Sequence, residues 1–198
     1  MVNALRRNVR LNVYRGAVLG LMGGAVGVLA MGQYWVRVMP LLTPKSAEFD
    51  EPDTEKQQLA PDQHVISPLG QQHEPGESST AAMGRIAYQA ITGRTPGQET
   101  RAALSEAVHW SFGLLSGALF GTLTARHSAR PGASPLSGVA FGAALWALND
   151  EGLVALLGLQ DGPAASPVSG HLNRLGAHVF YGAALGLSVW TLDRVQTE

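Results

Sequence analysis

Cysteine is absent from the chain. That removes disulfides, thiolate metal sites and cysteine nucleophiles, and it leaves the redox compartment undecided. Charge is scarce as well. Only 15% of the 198 residues are Asp, Glu, Lys or Arg, and the net charge is −1, so no basic field exists to attract a nucleic acid. Neither a Gly-x-Ser-x-Gly elbow nor a His-rich zinc motif occurs, and without them no enzymatic activity, metal or cofactor is expected. What abounds is apolar residues, at 45% of the chain, and glycine, with 24 residues.

The apolar residues are concentrated in runs. After an arginine-rich start (Arg6, Arg7, Arg10, Arg15), Gly16 to Val38 is almost wholly apolar. It is long enough to cross a hydrocarbon core of about 30 Å at about 1.5 Å per residue. Tyr34 and Trp35 stand at its far end, where amphipathic rings suit the headgroup boundary. A cleaved signal peptide ending at Val28-Leu29-Ala30 is the competing reading. The run continues past Ala30 into the aromatic pair, which favours a span. Further runs follow at 102–124, 136–159 (broken by Asn149-Asp150-Glu151-Gly152) and 172–192.

Between the first and second runs, Pro, Gln, Glu, Asp and Ser dominate. Such a segment buries too little surface to offset its ordering entropy and reads as a loose linker, with His64 and His73 as solvated loop residues. From Thr80 an amphipathic helix is expected, with Met83, Ile86, Ala87, Ala90 and Ile91 on one face and Gly93 ending it. It would lie on the membrane surface or pack on the bundle. Thr95-Pro-Gly-Gln98 reads as the next helix start, with Thr95 as N-cap.

The fold expected is therefore an all-α integral membrane protein with four transmembrane helices, a surface amphipathic helix and a polar linker. Its parts are a basic N-terminus with the first span (1–38), the linker (39–79) and a region with the amphipathic helix and three spans (80–198). Arginines crowd the N-terminus and the 125–134 turn (Arg126, Arg130). The positive-inside bias puts that turn and both termini in the cytoplasm.

Glycines at fourth positions recur in every span: Gly16/Gly20/Gly24, Gly113/Gly117/Gly121, Gly138/Gly142 and Gly182/Gly186. In lipid no hydrophobic drive brings helices together, and such stripes let backbones approach closely enough for dispersion contacts to do so. A compact bundle or a homo-oligomer follows. The pattern also repeats: His109, Phe112, Gly113 and Gly117 have counterparts in His178, Tyr181, Gly182 and Gly186.

Polar residues in the spans would share one outer layer: Arg37, Glu106, His109, Asp150, Glu151 and His178. Charges in spans are costly and face the protein interior or a wet cavity, where they pair. Glu106 and His109 stand at i, i+3, and Arg37 is the expected partner of Asp150 or Glu151. An interfacial reading competes, in which Asn149-Asp150 caps a short helix and Arg37 snorkels. Glu-x-x-His also serves di-metal bundles, which use it twice, but His178 has no Glu three residues earlier.

The ordered motifs His109-Trp-Ser-Phe-Gly113, Gly117-Ala-Leu-Phe-Gly121, Leu145-Trp-Ala-Leu-Asn-Asp-Glu-Gly-Leu153 and His178-Val-Phe-Tyr-Gly182 resemble the YagU-like family of bacterial inner-membrane proteins. The resemblance covers roughly residues 80–192. It implies a multi-span inner-membrane protein without an assigned reaction. The function expected is that of a structural or interaction component, whose partners are the lipid bilayer and either further copies of itself or other membrane proteins. The alternative is a small transporter or proton-handling protein, for instance under acid stress, using the Glu/His/Asp cluster as a relay.

Overall fold

In a computed structural model the chain is described at residues 2–42, 65–127 and 133–195, with side chains left out at 2–11, 126 and 127. His64, Ser128, Arg130 and the side chains of Arg6, Arg7, Arg10 and Arg126 lie outside the described residues. The described residues are helical, without strands. Five helices carry the fold. They are α1 (Val2–Gln33), α2 (Ser79–Thr92), α3 (Gln98–His127), α4 (Pro135–Leu145) and α5 (Val168–Val195). A π turn at Tyr34–Val38 extends α1 to Leu42, and one at Trp146–Leu153 extends α4 to Leu156.

Three stretches are long and apolar enough to cross a membrane: Asn12–Leu42, Pro135–Leu156 and Val168–Val195. α3 is not among them. Glu106, His109, Ser111, Ser116, Thr122 and Thr124 dilute its apolar content, although its 30 residues give it about 45 Å at about 1.5 Å per residue.

The chain forms two compact units. The first comprises Met1–Trp35, Trp110–Leu145 and Arg174–Glu198, and the second comprises Val36–His109 and Trp146–Asn173.

In the first unit, α1 and α3 run antiparallel with glycines in register. Gly16 faces Gly121, Gly20 faces Gly117 and Gly24 faces Gly113. A Cβ on Gly24 would stand 2.7 Å from the Gly113 carbonyl oxygen, and one on Gly117 would stand 2.7 Å from the Gly24 Cα. No side chain larger than hydrogen fits between them. α4 and α5 repeat the arrangement. A Cβ on Gly138 would lie 2.8 Å from the Gly186 Cα, and one on Gly142 would lie 3.2 Å from the Gly182 Cα. Leu185 and Val189 of α5 are fully buried and lie against Gly23 of α1. Phe120 and Phe141 meet with ring centroids 5.2 Å apart, and Arg15 joins α1 to α5 through Asp193 at 2.8 Å.

The second unit holds α2. The Ser78 hydroxyl accepts the Ala81 N–H at its start, and Gly93, in the left-handed region at φ 67°, ends it where the sequence indicates. Its buried face is a correction to the expected one. Met83 and Ile91 are exposed, whereas Ala82, Gly84 and Arg85 are buried. Ala82 and Ile86 pack on Val154, Leu157 and Leu159, and Gly84 lets Leu104 of α3 come close. α2 thus packs on protein.

Three further readings change. α3 starts at Gln98, with the Gly97 carbonyl accepting from Arg101 N–H, while the Arg101 side chain donates to the Pro96 carbonyl. Asn149-Asp150 does not cap a new helix, since the π turn carries the helix through it. Of the expected linker, 39–42 continue α1 and 65–78 lie against the end of the third apolar run. There Gly158, at φ 73°, accepts from the N–H groups of Gln72 and His73, and the Ser67 hydroxyl donates to the Leu156 carbonyl at 2.7 Å. Backbone pairing of this kind orders a polar segment that its composition alone would leave loose.

Candidate functional site

The six polar residues expected in one layer divide between the two units. His178 belongs to the first, and its Nδ1 donates to the Arg174 carbonyl one turn back at 2.9 Å. The other five belong to the second. Arg37, in the π turn of α1, is exposed and makes no ion pair among the described residues, so the pairing expected with Asp150 or Glu151 is absent. Glu106 is exposed and His109 half-buried. Among the described residues neither hydrogen bond nor ion pair joins them, despite their i, i+3 spacing.

Asp150 and Glu151 sit in the π turn of α4, and as consecutive residues they meet different partners. The Asn149 amide donates to Asp150 Oδ1 at 2.9 Å, and the Gln160 amide donates to the Asp150 carbonyl. Glu151 Oε1 lies 2.8 Å from Nδ1 of His171. His171 stands in the first turn of α5, so a loop residue of the sequence reading supplies the partner that Arg37 was expected to be. Its other ring nitrogen faces the carbonyl oxygens of Pro163 at 3.0 Å and Ser166 at 3.2 Å. Ser166-Pro167 was the available signal, because a Ser-Pro step opens helices and would have put His171 inside α5.

A second polar group was not foreseen at all. Arg85 is buried and holds Glu77 in a bidentate fork, Nε to Oε1 at 2.9 Å and Nη2 to Oε2 at 2.8 Å, while Nη2 also donates to the Gln72 carbonyl at 2.6 Å. Arg101 pairs with Glu74 at 2.5 Å. The Arg85 guanidinium holds the Glu77 carboxyl below the usual carboxylate range, outweighing the opposing effect of burial, and Arg101 does the same for Glu74. His73, read as solvated, is largely covered, with Nε2 3.3 Å from Asp161 Oδ1 at ion-pair rather than hydrogen-bond geometry. These contacts tie residues 72–77 and the 158–161 loop to α2 and α3.

The repeated signature is unequal in its aromatic position. Tyr181 is buried and its hydroxyl donates to the Gly113 carbonyl at 2.6 Å, while Phe112 is 39% exposed. Among the described residues no three His, Asp or Glu side chains converge as metal ligands. Comparison with protein-family models, with curated proteins and with solved structures finds no match to the chain.

Proposed function

We propose that the chain is a four-span inner-membrane protein with both termini cytoplasmic, acting as a structural or interaction component of the membrane. The register of α1 against α3 carries the topology. Gly113, Gly117 and Gly121 lie backbone to backbone against Gly24, Gly20 and Gly16, and these sit within the apolar stretch of α1. Whatever depth that stretch reaches, the middle of α3 shares it.

The opposite face of α3 supports the same reading. Leu115, Leu119 and Leu123 are 68%, 50% and 40% exposed and stand two residues on from the three glycines, about 200° round the helix. One column is closed against α1 and the other is bare hydrocarbon, an arrangement suited to lipid. α1 likewise exposes Val18, Met22 and Leu29. The glycine stripes are used within the chain's own bundle, so association with other copies or other membrane proteins falls to these aliphatic faces. The resemblance to the YagU-like family implies the same class.

The polar residues favour this role over a proton relay. Among the described residues no hydrogen bond or ion pair links Glu106, His109 or Arg37 to Asp150 or Glu151, and a relay needs neighbouring carriers. Reconstituted into proteoliposomes, the protein should leave a pH gradient decaying no faster than in empty vesicles. Gradient collapse that His109→Gln or His178→Gln abolishes would establish proton handling instead.

A further inference from the structure

The surroundings of His171 fix where its hydrogens can be. The carbonyl oxygens of Pro163 and Ser166 can only accept, so Nε2 facing both must carry a hydrogen. Nδ1 lies 2.8 Å from Glu151 Oε1, so a second hydrogen must sit between them, on the ring or on the carboxyl. Remove it and no arrangement satisfies both sides. With the remaining hydrogen on Nε2, the Nδ1 lone pair faces a carboxylate. With it on Nδ1, the Nε2 lone pair faces two carbonyl oxygens.

We propose that His171 and Glu151 form a one-proton latch, which fastens the turn Pro163–Ser166 and the start of α5 to the π turn of α4 and releases them when the shared proton is lost. The reaction balances as one proton passing to solvent from the pair. The other titratable or charged groups of this part of the second unit are Asp150, beside Glu151 and bonded to Asn149, and Asp161 of the loop, which faces His73; Arg174 follows His171 by three residues in the sequence. His171 and Glu151 both lie in the second unit, and the latch does not depend on how many spans the chain has.

The absence of cysteine allows a direct test on the full chain in lipid nanodiscs. Ala164→Cys introduces a single thiol on the exposed tip of the turn, and a nitroxide attached there reports its mobility. The label should be immobile near pH 6 and several-fold more mobile near pH 10, a range that includes the ordinary imidazole value of about 6.5. Two variants should remove the transition in opposite senses. His171→Gln should leave the label mobile at both pH values. Glu151→Gln should leave it immobile at both, because a carboxamide can donate to Nδ1 of the neutral ring. A wild-type label whose mobility does not change with pH would overturn the latch, and so would a Glu151→Gln variant that keeps the wild-type transition. Should either variant fail to fold, 15N spectra of histidine-labelled protein decide the matter. His171 should show no free ring lone pair near pH 6, and one should appear in step with label release. Its appearance without release would overturn the latch.

Discussion

The hydroxyl of Tyr181 donates to the carbonyl of Gly113 at 2.6 Å, so the second copy of the repeated signature is bonded to the glycine of the first. The Tyr181 ring also lies against Gly27 of α1, which places one buried side chain on α1, α3 and α5 together. Tyr181→Phe keeps the ring and deletes the bond. Because the Gly113 carbonyl is a helix acceptor, the loss should be limited to about 1 kcal/mol, read as a lowered unfolding midpoint in detergent with helicity unchanged.

The glycine register predicts a contrast within a single helix. A Cβ on Gly20 would meet Gly117, the Cα of Ala118 being 3.0 Å away, whereas Gly32 has nothing within 4 Å. Gly20→Leu or Gly117→Leu should therefore lower stability by several kcal/mol, beyond the roughly 1–3 kcal/mol of ordinary overpacking, since backbone cannot move aside. Gly32→Leu should be tolerated. Melting of the three variants in detergent checks this, and equal behaviour would mean that the facing glycines do not hold the pair together.

The buried fork of Arg85 and Glu77 predicts an acid-side dependence. The Glu77 carboxyl is held below its ordinary value in the folded chain. Its contribution is therefore fully present above the unfolded value of about 4.3 and is lost as pH falls through the folded value. Arg85→Met should cost about 3 kcal/mol, because it leaves a covered carboxylate without its partner. Hydrogen exchange of residues 72–89 should rise sharply in that variant at neutral pH, and in the wild type only on acidification.

The sequence makes the helices legible because their signals are local: apolar length, Gly93 as a stop, and glycines at every fourth place. It indicates that Gly113, Gly117 and Gly121 share a face, but not that Gly24, Gly20 and Gly16 lie opposite. Partner choice is where the reading departs from the structure. Arg85 lies off the apolar face of the expected helix, with no sign of a buried partner, yet Glu77 comes from a segment whose composition suggests no order. His171 goes unnoticed at the edge of a Gly/Pro/Ser loop, and Arg37 receives the role that His171 performs. Tertiary pairing of polar groups leaves no periodic trace in a chain.

That α3 crosses the membrane, although it is not among the stretches apolar enough by composition, is checked by labelling on its two sides. Single cysteines at Ser67, Ser166 and Ser128 can be introduced one at a time into this cysteine-free chain and exposed to an impermeant thiol reagent in intact cells. In the orientation proposed above, the arginines of the N-terminus and of the 125–134 turn face the cytoplasm. Ser67 and Ser166 should react, and Ser128 only after permeabilisation. Equal reaction of Ser67 and Ser128 in intact cells would put both ends of α3 on one side and contradict the four-span account.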